Sequence, residues 1–157
     1  MTMKFLQSRN LSLLFWIAVS GIVSYSGAQF EPGTWYQSIQ KPELTPPGWV
    51  FPVVWTSLYI MMAIAAWKVW LQVLSFTETA IWLYMVKMLL NASWSYIFFG
   101  VHIIWLSVVN ILALFFVIVV LIYLFNKISK TAAKLMIPYA IWVGFASFLN
   151  IRIWMLN

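Results

Sequence analysis

Five apolar stretches, each about 20 residues long, occupy most of this chain of 157 residues. A helix of that length crosses the hydrocarbon core of a bilayer with its backbone polar groups bonded within the helix. The chain is 64% hydrophobic and 8% charged, whereas soluble domains are about half apolar and a quarter charged. We therefore predict an all-α integral membrane protein, a bundle of five transmembrane helices forming one domain over residues 1–157. The predicted spans are residues 11–30, 50–71, 79–99, 104–125 and 135–156.

The first span also resembles a signal peptide, because it has a basic start and Gly27-Ala28 offers a cleavage site. The stretch is long for a signal sequence and leads directly into another membrane segment, so we interpret it as a transmembrane helix. Residues 31–49 hold four of the six prolines and two glycines. That composition predicts a structured loop outside the hydrocarbon.

Basic residues are distributed unequally between the two ends of the predicted spans. With five spans, the amino terminus lies on the same side as the link over residues 72–78 and the link over residues 126–134. Lys41 and Arg152 lie on the opposite side. The positive-inside rule then predicts a cytoplasmic amino terminus, and we interpret the net charge of +6 as a topology signal rather than a sign of nucleic-acid binding. The basic residues on the same side as the amino terminus are Lys4, Arg9, Lys68, Lys127, Lys130 and Lys134.

Cysteine is absent and histidine occurs once. The absence of cysteine excludes disulfides, thiolate nucleophiles and cysteine-ligated metals. A single histidine argues against a zinc site, and we interpret His102 as an ordinary polar loop residue rather than a haem ligand. We predict no bound metal and no resident cofactor.

The third predicted span carries a polar stripe. A central lysine costs roughly 2.5 to 3.5 kcal/mol on insertion, which nearly cancels the contribution of the apolar residues, so this stripe is predicted to face away from lipid. We interpret Lys87 as reaching toward the cytoplasmic surface. For Asn91 two interpretations stay open, an interhelical hydrogen bond or an amide that faces a ligand. The stripe consists of Tyr84, Lys87, Asn91 and Trp94 or Ser95, at three- and four-residue spacing.

Eleven tryptophans are the other unusual feature. Six lie within a turn or two of a span end, and we interpret them as anchors at the membrane interface. Trp55, Trp94 and Trp142 lie deeper, and aromatic walls facing small residues suit a flat ligand. Trp55 and Tyr59 are i, i+4 partners, and Trp142, Ala146 and Leu149 or Asn150 form one stripe. The six predicted anchors are Trp16, Trp67, Trp70, Trp82, Trp105 and Trp154.

Several motifs resemble the signature of the tryptophan-rich sensory proteins, also called the translocator protein or peripheral benzodiazepine receptor family. The resemblance covers nearly the whole chain and identifies a bacterial-type member, in a bacterial cell membrane. In the loop and second span the motifs are Trp35-Tyr36, Lys41-Pro42, Pro46-Pro47-Gly48-Trp49, Phe51-Pro52-Val53-Val54-Trp55-Thr56 and Tyr59. In the third and fifth spans they are Leu90-Asn91-Ala92-Ser93-Trp94, Phe98-Phe99, Trp142-Val143-Gly144-Phe145-Ala146, Leu149-Asn150 and Asn157.

The resemblance implies a five-helix bundle, often homodimeric, with a pocket beneath the first loop. That pocket accepts porphyrins, such as protoporphyrin IX, and hydrophobic benzodiazepine-type or isoquinoline carboxamide ligands. Within it, Trp55 and Asn91 would donate hydrogen bonds to a ligand carbonyl or carboxylate. The ligand-binding positions carried over by motif are Trp35, Tyr36, Pro46, Trp55, Asn91, Trp94, Trp142, Ala146 and Leu149.

Some members of this family are similar to proteins that degrade porphyrins in light, and there Trp55 and Trp142 match the catalytic tryptophans. The animal members carry a cholesterol motif from which this chain departs, because Ile151 replaces its aromatic residue and Arg152 precedes the expected stretch. The resemblance therefore does not support sterol binding through that motif. Two alternative functions are a transporter or facilitator of porphyrin or other hydrophobic molecules, and a stress-linked signalling scaffold.

Overall fold

The computed structural model describes residues 8–30 and 32–157, and over these residues it is all helical. It contains six α-helices and one π-helical segment, and no strand occurs in the described part of the chain. The elements are α1 Arg9–Ala28, α2 Thr34–Ser38, α3 Val50–Val73, α4 Thr79–Ser95, the π-helical segment Tyr96–Gly100, α5 Ile104–Ile128 and α6 Lys130–Leu156.

Four of these helices, α1, α3, α5 and α6, are long and apolar enough to cross a membrane. The most apolar of them is α5. Helix α4 is shorter, with 17 residues, and it carries the polar stripe of the sequence. The described chain is therefore a multi-pass helical membrane protein with four clear membrane-spanning candidates.

The long helices contact one another in a closed cyclic order. Helix α1 packs on α3 and α4, α5 packs on α4 and α6, and α6 packs back on α3. Large side chains fill the interior of this ring, among them Trp16, Tyr84, Phe125 and Tyr139, none of which is exposed. The short helix α2 lies outside this ring, within the loop between α1 and α3.

The predicted link over residues 126–134 is wrong, because only Ser129 separates α5 from α6. Ser129 is extended, with φ −148° and ψ 107°, and its hydroxyl accepts a hydrogen bond from the Ala132 backbone N–H at 3.4 Å. Lysines suggested a polar link, yet the buried Ala132, Ala133 and Met136 among them follow a helical period. Pro138, predicted near the start of its helix, consequently lies inside α6.

Two of the predicted interfacial tryptophans are core residues instead. Trp16 is fully buried and Trp70 is 4% exposed. Trp16 packs edge-to-face on Tyr84 at 5.5 Å between ring centroids and lies 6.0 Å from Trp70. Both residues lie near the end of a predicted span, but that position did not indicate that their side chains point into the ring of helices. Trp82, Trp105 and Trp154 remain more than half exposed, as an anchoring role requires.

Candidate functional site

A cavity of about 770 Å³ lies within the ring of helices, below the loop that contains α2. Its walls are mainly apolar and aromatic, and every long helix contributes to them. Eight of the nine predicted ligand-binding residues line this one cavity, although they come from four separate parts of the chain. These eight are Tyr36, Pro46, Trp55, Asn91, Trp94, Trp142, Ala146 and Leu149.

The amide of Asn91 joins three helices at the cavity wall. Its Nδ2 donates to the hydroxyl of Tyr59 on α3 at 2.7 Å, and its Oδ1 accepts from the hydroxyl of Tyr139 on α6 at 3.2 Å. The interpretation of Asn91 as an interhelical hydrogen-bonding residue is therefore confirmed, and Asn91 also lines the cavity, where a ligand-facing amide would lie. An asparagine amide has two N–H bonds, so one remains for a ligand.

Asn150 holds Trp94 in the cavity wall. Its Oδ1 accepts a hydrogen bond from the indole N–H of Trp94 at 2.8 Å, and its Nδ2 donates to the hydroxyl of Ser107 at 3.0 Å. With the ring of Phe98, Trp94 forms a parallel stack at 5.1 Å and 9°. The indole plane is thus held from its edge and from one face.

Trp55 and Trp142 lie on different helices of the cavity wall, α3 and α6. Trp55 contacts Tyr59 at 5.8 Å, as the i, i+4 spacing predicted, and Tyr139 at 6.2 Å. Trp142 packs edge-on against Phe51 at 5.8 Å. The indole N–H of Trp142 is buried and has no hydrogen-bond partner among residues 8–30 and 32–157.

The π-helical segment Tyr96–Gly100 extends α4 and brings Phe98 and Phe99 to the cavity. A Cβ atom on Gly100 would lie 3.1 Å from the ring of Tyr96 and 3.2 Å from that of Phe30. Only glycine accommodates this approach without moving a ring. Wide turns of this kind recur at functional sites, and here the turn places two aromatic rings beside Trp94.

Trp35 is the one predicted ligand-binding residue that does not line the cavity. Its ring stacks on that of His102, with centroids 4.1 Å apart and 16° between the planes. It also packs edge-on against Phe98 at 5.5 Å. The structure therefore places Trp35 behind the wall, where it supports Phe98, and it places His102 against an aromatic ring rather than in the cavity.

The loop above the cavity is fastened at two points. Lys41 ends α2 by donating from Nζ to the carbonyl oxygens of Tyr36 at 2.6 Å and Ile39 at 2.9 Å. The side chain of Asn157 forms a two-bond amide pair with the backbone of Gln40, each bond 3.0 Å long. Burial raises the pKa of the Tyr36 phenol above its ordinary value, so this side chain stays uncharged at the cavity mouth.

The polar stripe of α4 faces inward, as predicted, but Lys87 does not reach the membrane surface. Its side chain is fully buried, and Nζ lies 3.0 Å from the sulfur atoms of both Met62 and Met88. Its ammonium group also lies over the rings of Tyr84 at 4.1 Å and Tyr139 at 5.1 Å. The snorkelling interpretation is wrong because the side chain folds back over Tyr84, the residue three positions earlier on the same face.

Two polar residues of the site were missed in the sequence. Asn110 on α5 donates to the hydroxyl of Ser93 at 2.8 Å and so ties α5 to α4 behind the cavity. Lys41 was predicted as a charged residue and as part of a motif but not as a ligand-binding residue, although it lines the cavity. Asn110 had a usable signal, since it is the one amide that lies deep in α5, the most apolar of the four spanning candidates, where polar side chains find interhelical partners; the other amide of α5, Asn126, lies in its last turn.

The fold and the cavity define a class: a multi-pass helical membrane protein with an aromatic cavity beneath a structured loop. Residues 12–155 match the TspO/MBR family. The chain belongs to this family, which confirms the resemblance drawn from its motifs. The match extends over nearly all of the residues that build the cavity.

Relatives from distant organisms match over most of their length. The tryptophan-rich protein TspO of Chlorobaculum tepidum is 37% identical over 154 residues, which cover 94% of this chain and 96% of that protein. Protein CrtK of Rhodobacter capsulatus is 36% identical, covering 84% of each chain. The human translocator protein is 33% identical over 136 residues, covering 83% of this chain and 80% of the relative.

Proposed function

We propose that this protein is a membrane receptor for porphyrins, protoporphyrin IX among them, and for benzodiazepine-type and isoquinoline carboxamide ligands. The observation that carries the proposal is the single cavity of about 770 Å³ lined by eight residues of the ligand-binding motifs. Its volume lies within the range of small-molecule sites, about 300 to 1,000 Å³. The protein needs no resident cofactor for this role, since the porphyrin is its ligand.

The chemistry of the walls favours a flat aromatic ligand. Trp94 already stacks on Phe98 at 5.1 Å, and a porphyrin plane gains dispersion and quadrupole contacts from the same kind of surface. The second N–H of Asn91 and the indole N–H of Trp55, both on residues that line the cavity, would donate to a carbonyl or carboxylate, as the resemblance implies. A few polar groups in an apolar cavity fix the orientation of such a ligand.

We further propose that the bound porphyrin is degraded in light, with Trp55 and Trp142 as the catalytic residues. An indole in contact with a photoexcited porphyrin donates one electron to it, forming an indole radical cation and a porphyrin radical anion. Dioxygen is the oxidant that the degradation consumes. Both indoles line the cavity, so its walls would keep the radical pair and the oxygen together.

The architecture that we propose is a five-span bundle. Helix α4 alone is about 25 Å long, at 1.5 Å per residue, and the five residues of the π-helical segment lengthen it to match the hydrocarbon thickness. The charge bias supports an amino terminus in the cytoplasm of a bacterial cell. We also propose a homodimer, on the grounds of the family resemblance.

One observation favours the alternative of facilitated movement of porphyrin. An apolar groove on the outer surface between α3 and α6 is lined by Val53, Ile141, Phe145 and also by Trp142, which lines the cavity as well. Trp142 thus belongs to the walls of both the cavity and the outer groove. In proteoliposomes, porphyrin flux that rises with protein density would support this alternative, and binding without flux would support the receptor.

The first test illuminates the purified protein with protoporphyrin IX. We expect porphyrin to quench tryptophan fluorescence and its absorbance to fall in light, and we expect Trp55→Phe with Trp142→Phe to abolish the light-dependent loss. Trp82→Phe is the matched control, since Trp82 is 61% exposed on the outer surface. Unchanged loss in the double variant would exclude the photochemical role, and absence of quenching in the wild type would exclude the receptor.

A further inference from the structure

Lys87 is a fully buried lysine in the interior of the bundle. The contacts of its Nζ are two thioether sulfurs, each at 3.0 Å, and the faces of two tyrosine rings. Thioether sulfur is a weak acceptor. The amine of Lys87 is therefore held by weak and easily exchanged partners.

The described chain offers Lys87 no counter-charge. None of α1, α3, α4, α5 and α6 contains an aspartate or a glutamate. A buried ammonium group is costly unless it is paired with an anion and hydrogen-bonded. A bound anionic ligand would supply the counter-charge that these helices do not provide for the ammonium group of Lys87.

The cavity lies one layer of side chains away from Lys87. Tyr139, whose ring centroid is 5.1 Å from Nζ, donates its hydroxyl to Asn91, and Asn91 lines the cavity. Lys87 and Asn91 are four positions apart on α4, which places their Cβ atoms about 5 to 6 Å apart. The flexible four-carbon stem of a lysine covers that distance by rotation about its own bonds.

We propose that Lys87 is the anion-recognising residue of the cavity and pairs with a carboxylate of the bound porphyrin. The inference rests on the proposed function, in which a porphyrin is the ligand. It restricts the preferred ligands to porphyrins that carry carboxylates. On binding, the ammonium group leaves the sulfur atoms of Met62 and Met88 and donates to a carboxylate that lies at the level of Asn91. The unbranched methionines repack readily when it leaves.

The experiment compares protoporphyrin IX, a dicarboxylic acid, with its uncharged dimethyl ester. Binding of each is measured by tryptophan quenching in the wild type and in Lys87→Met, which keeps the apolar length of the side chain and removes the amine. The matched control is Lys127→Met, since Lys127 also lies over a tyrosine ring, Tyr123 at 4.3 Å, but is exposed at the end of α5. The detergent partitioning of each ligand is the same for every protein, so its effect cancels when the ratio of the two affinities is compared between proteins.

We expect the wild type and Lys127→Met to bind the diacid about 10- to 100-fold more tightly than the ester. Lys87→Met is expected to bind both about equally, with its affinity for the ester within about twofold of the wild-type value. Equal affinities for diacid and ester in the wild type would overturn the role of Lys87 and leave the proposed receptor standing. If Lys87→Met loses affinity for the diacid and the ester equally, Lys87 has only a structural role. If the wild type binds neither ligand, the proposed receptor function is wrong.

Discussion

At the scale of single residues, the site depends on amide side chains that connect helices. Asn91 and Asn150 each bond to two partners on other helices, and both lie within the apolar interior. In that surrounding an unpaired polar group costs about 1 to 3 kcal/mol, more than a satisfied bond contributes. Such residues therefore determine which helices meet and where the aromatic walls stand.

Replacing Asn91 by alanine is expected to lower the free energy of unfolding by about 2 to 3 kcal/mol, because it leaves the hydroxyls of both Tyr59 and Tyr139 without their partner. Tyr139→Phe removes a single bond and is expected to cost about 1 kcal/mol. Unfolding in mixed detergent, followed by near-ultraviolet circular dichroism, measures both. An Asn91→Ala protein as stable as Tyr139→Phe would contradict this account, since the amide would then have only one partner that matters.

At the scale of elements, the π-helical segment that follows α4 depends on Gly100. A side chain at this position meets the rings of Phe30 and Tyr96. We expect Gly100→Val to destabilise the protein by about 1 to 3 kcal/mol through overpacking and to weaken tryptophan quenching by porphyrin as Phe98 and Phe99 shift.

Gly21→Val is the control for that change, because a Cβ atom on Gly21 has nothing within 4 Å. Both variants add the same β-branched side chain to a helical segment, so their difference isolates the close contact at Gly100. Thermal unfolding of the two proteins side by side gives that difference. Equal unfolding temperatures for the two variants would mean that the rings of Phe30 and Tyr96 move aside without a loss of stability.

At the scale of the whole molecule, the end of α6 holds the loop over the cavity through Asn157. We expect Asn157→Ala to increase the rate of porphyrin dissociation by about 30-fold, since two hydrogen bonds of about 1 kcal/mol each no longer keep the loop closed. Stopped-flow recovery of tryptophan fluorescence measures the rate. Gln40→Ala is the matched control, because Asn157 bonds to the backbone of Gln40 and not to its side chain, and an equal increase in both variants would refute the fastening.

Much of the site was predictable from the chain alone. The spacing of Trp55 and Tyr59, and of Trp142, Ala146 and Leu149, placed each set on one helix face, and helical period was enough to do so. Motif resemblance selected nine residues, and eight of them line one cavity. Trp35 was predicted to line the cavity but lies behind Phe98. A motif shows only that a residue belongs to a region, and it does not distinguish a residue in the cavity wall from a residue that packs behind that wall.

The sequence by itself determined the class of protein, since only helices satisfy the backbone of such apolar stretches in lipid, and it determined the inward stripe of α4. The tertiary structure alone decided the surroundings of Lys87 and the depth of Trp16 and Trp70. It also decided that Ser129 alone separates α5 from α6. The physical reason is common to all of these cases: helical period tells which residues share a face, but the helices that cover that face come from distant parts of the chain, and their contacts determine burial.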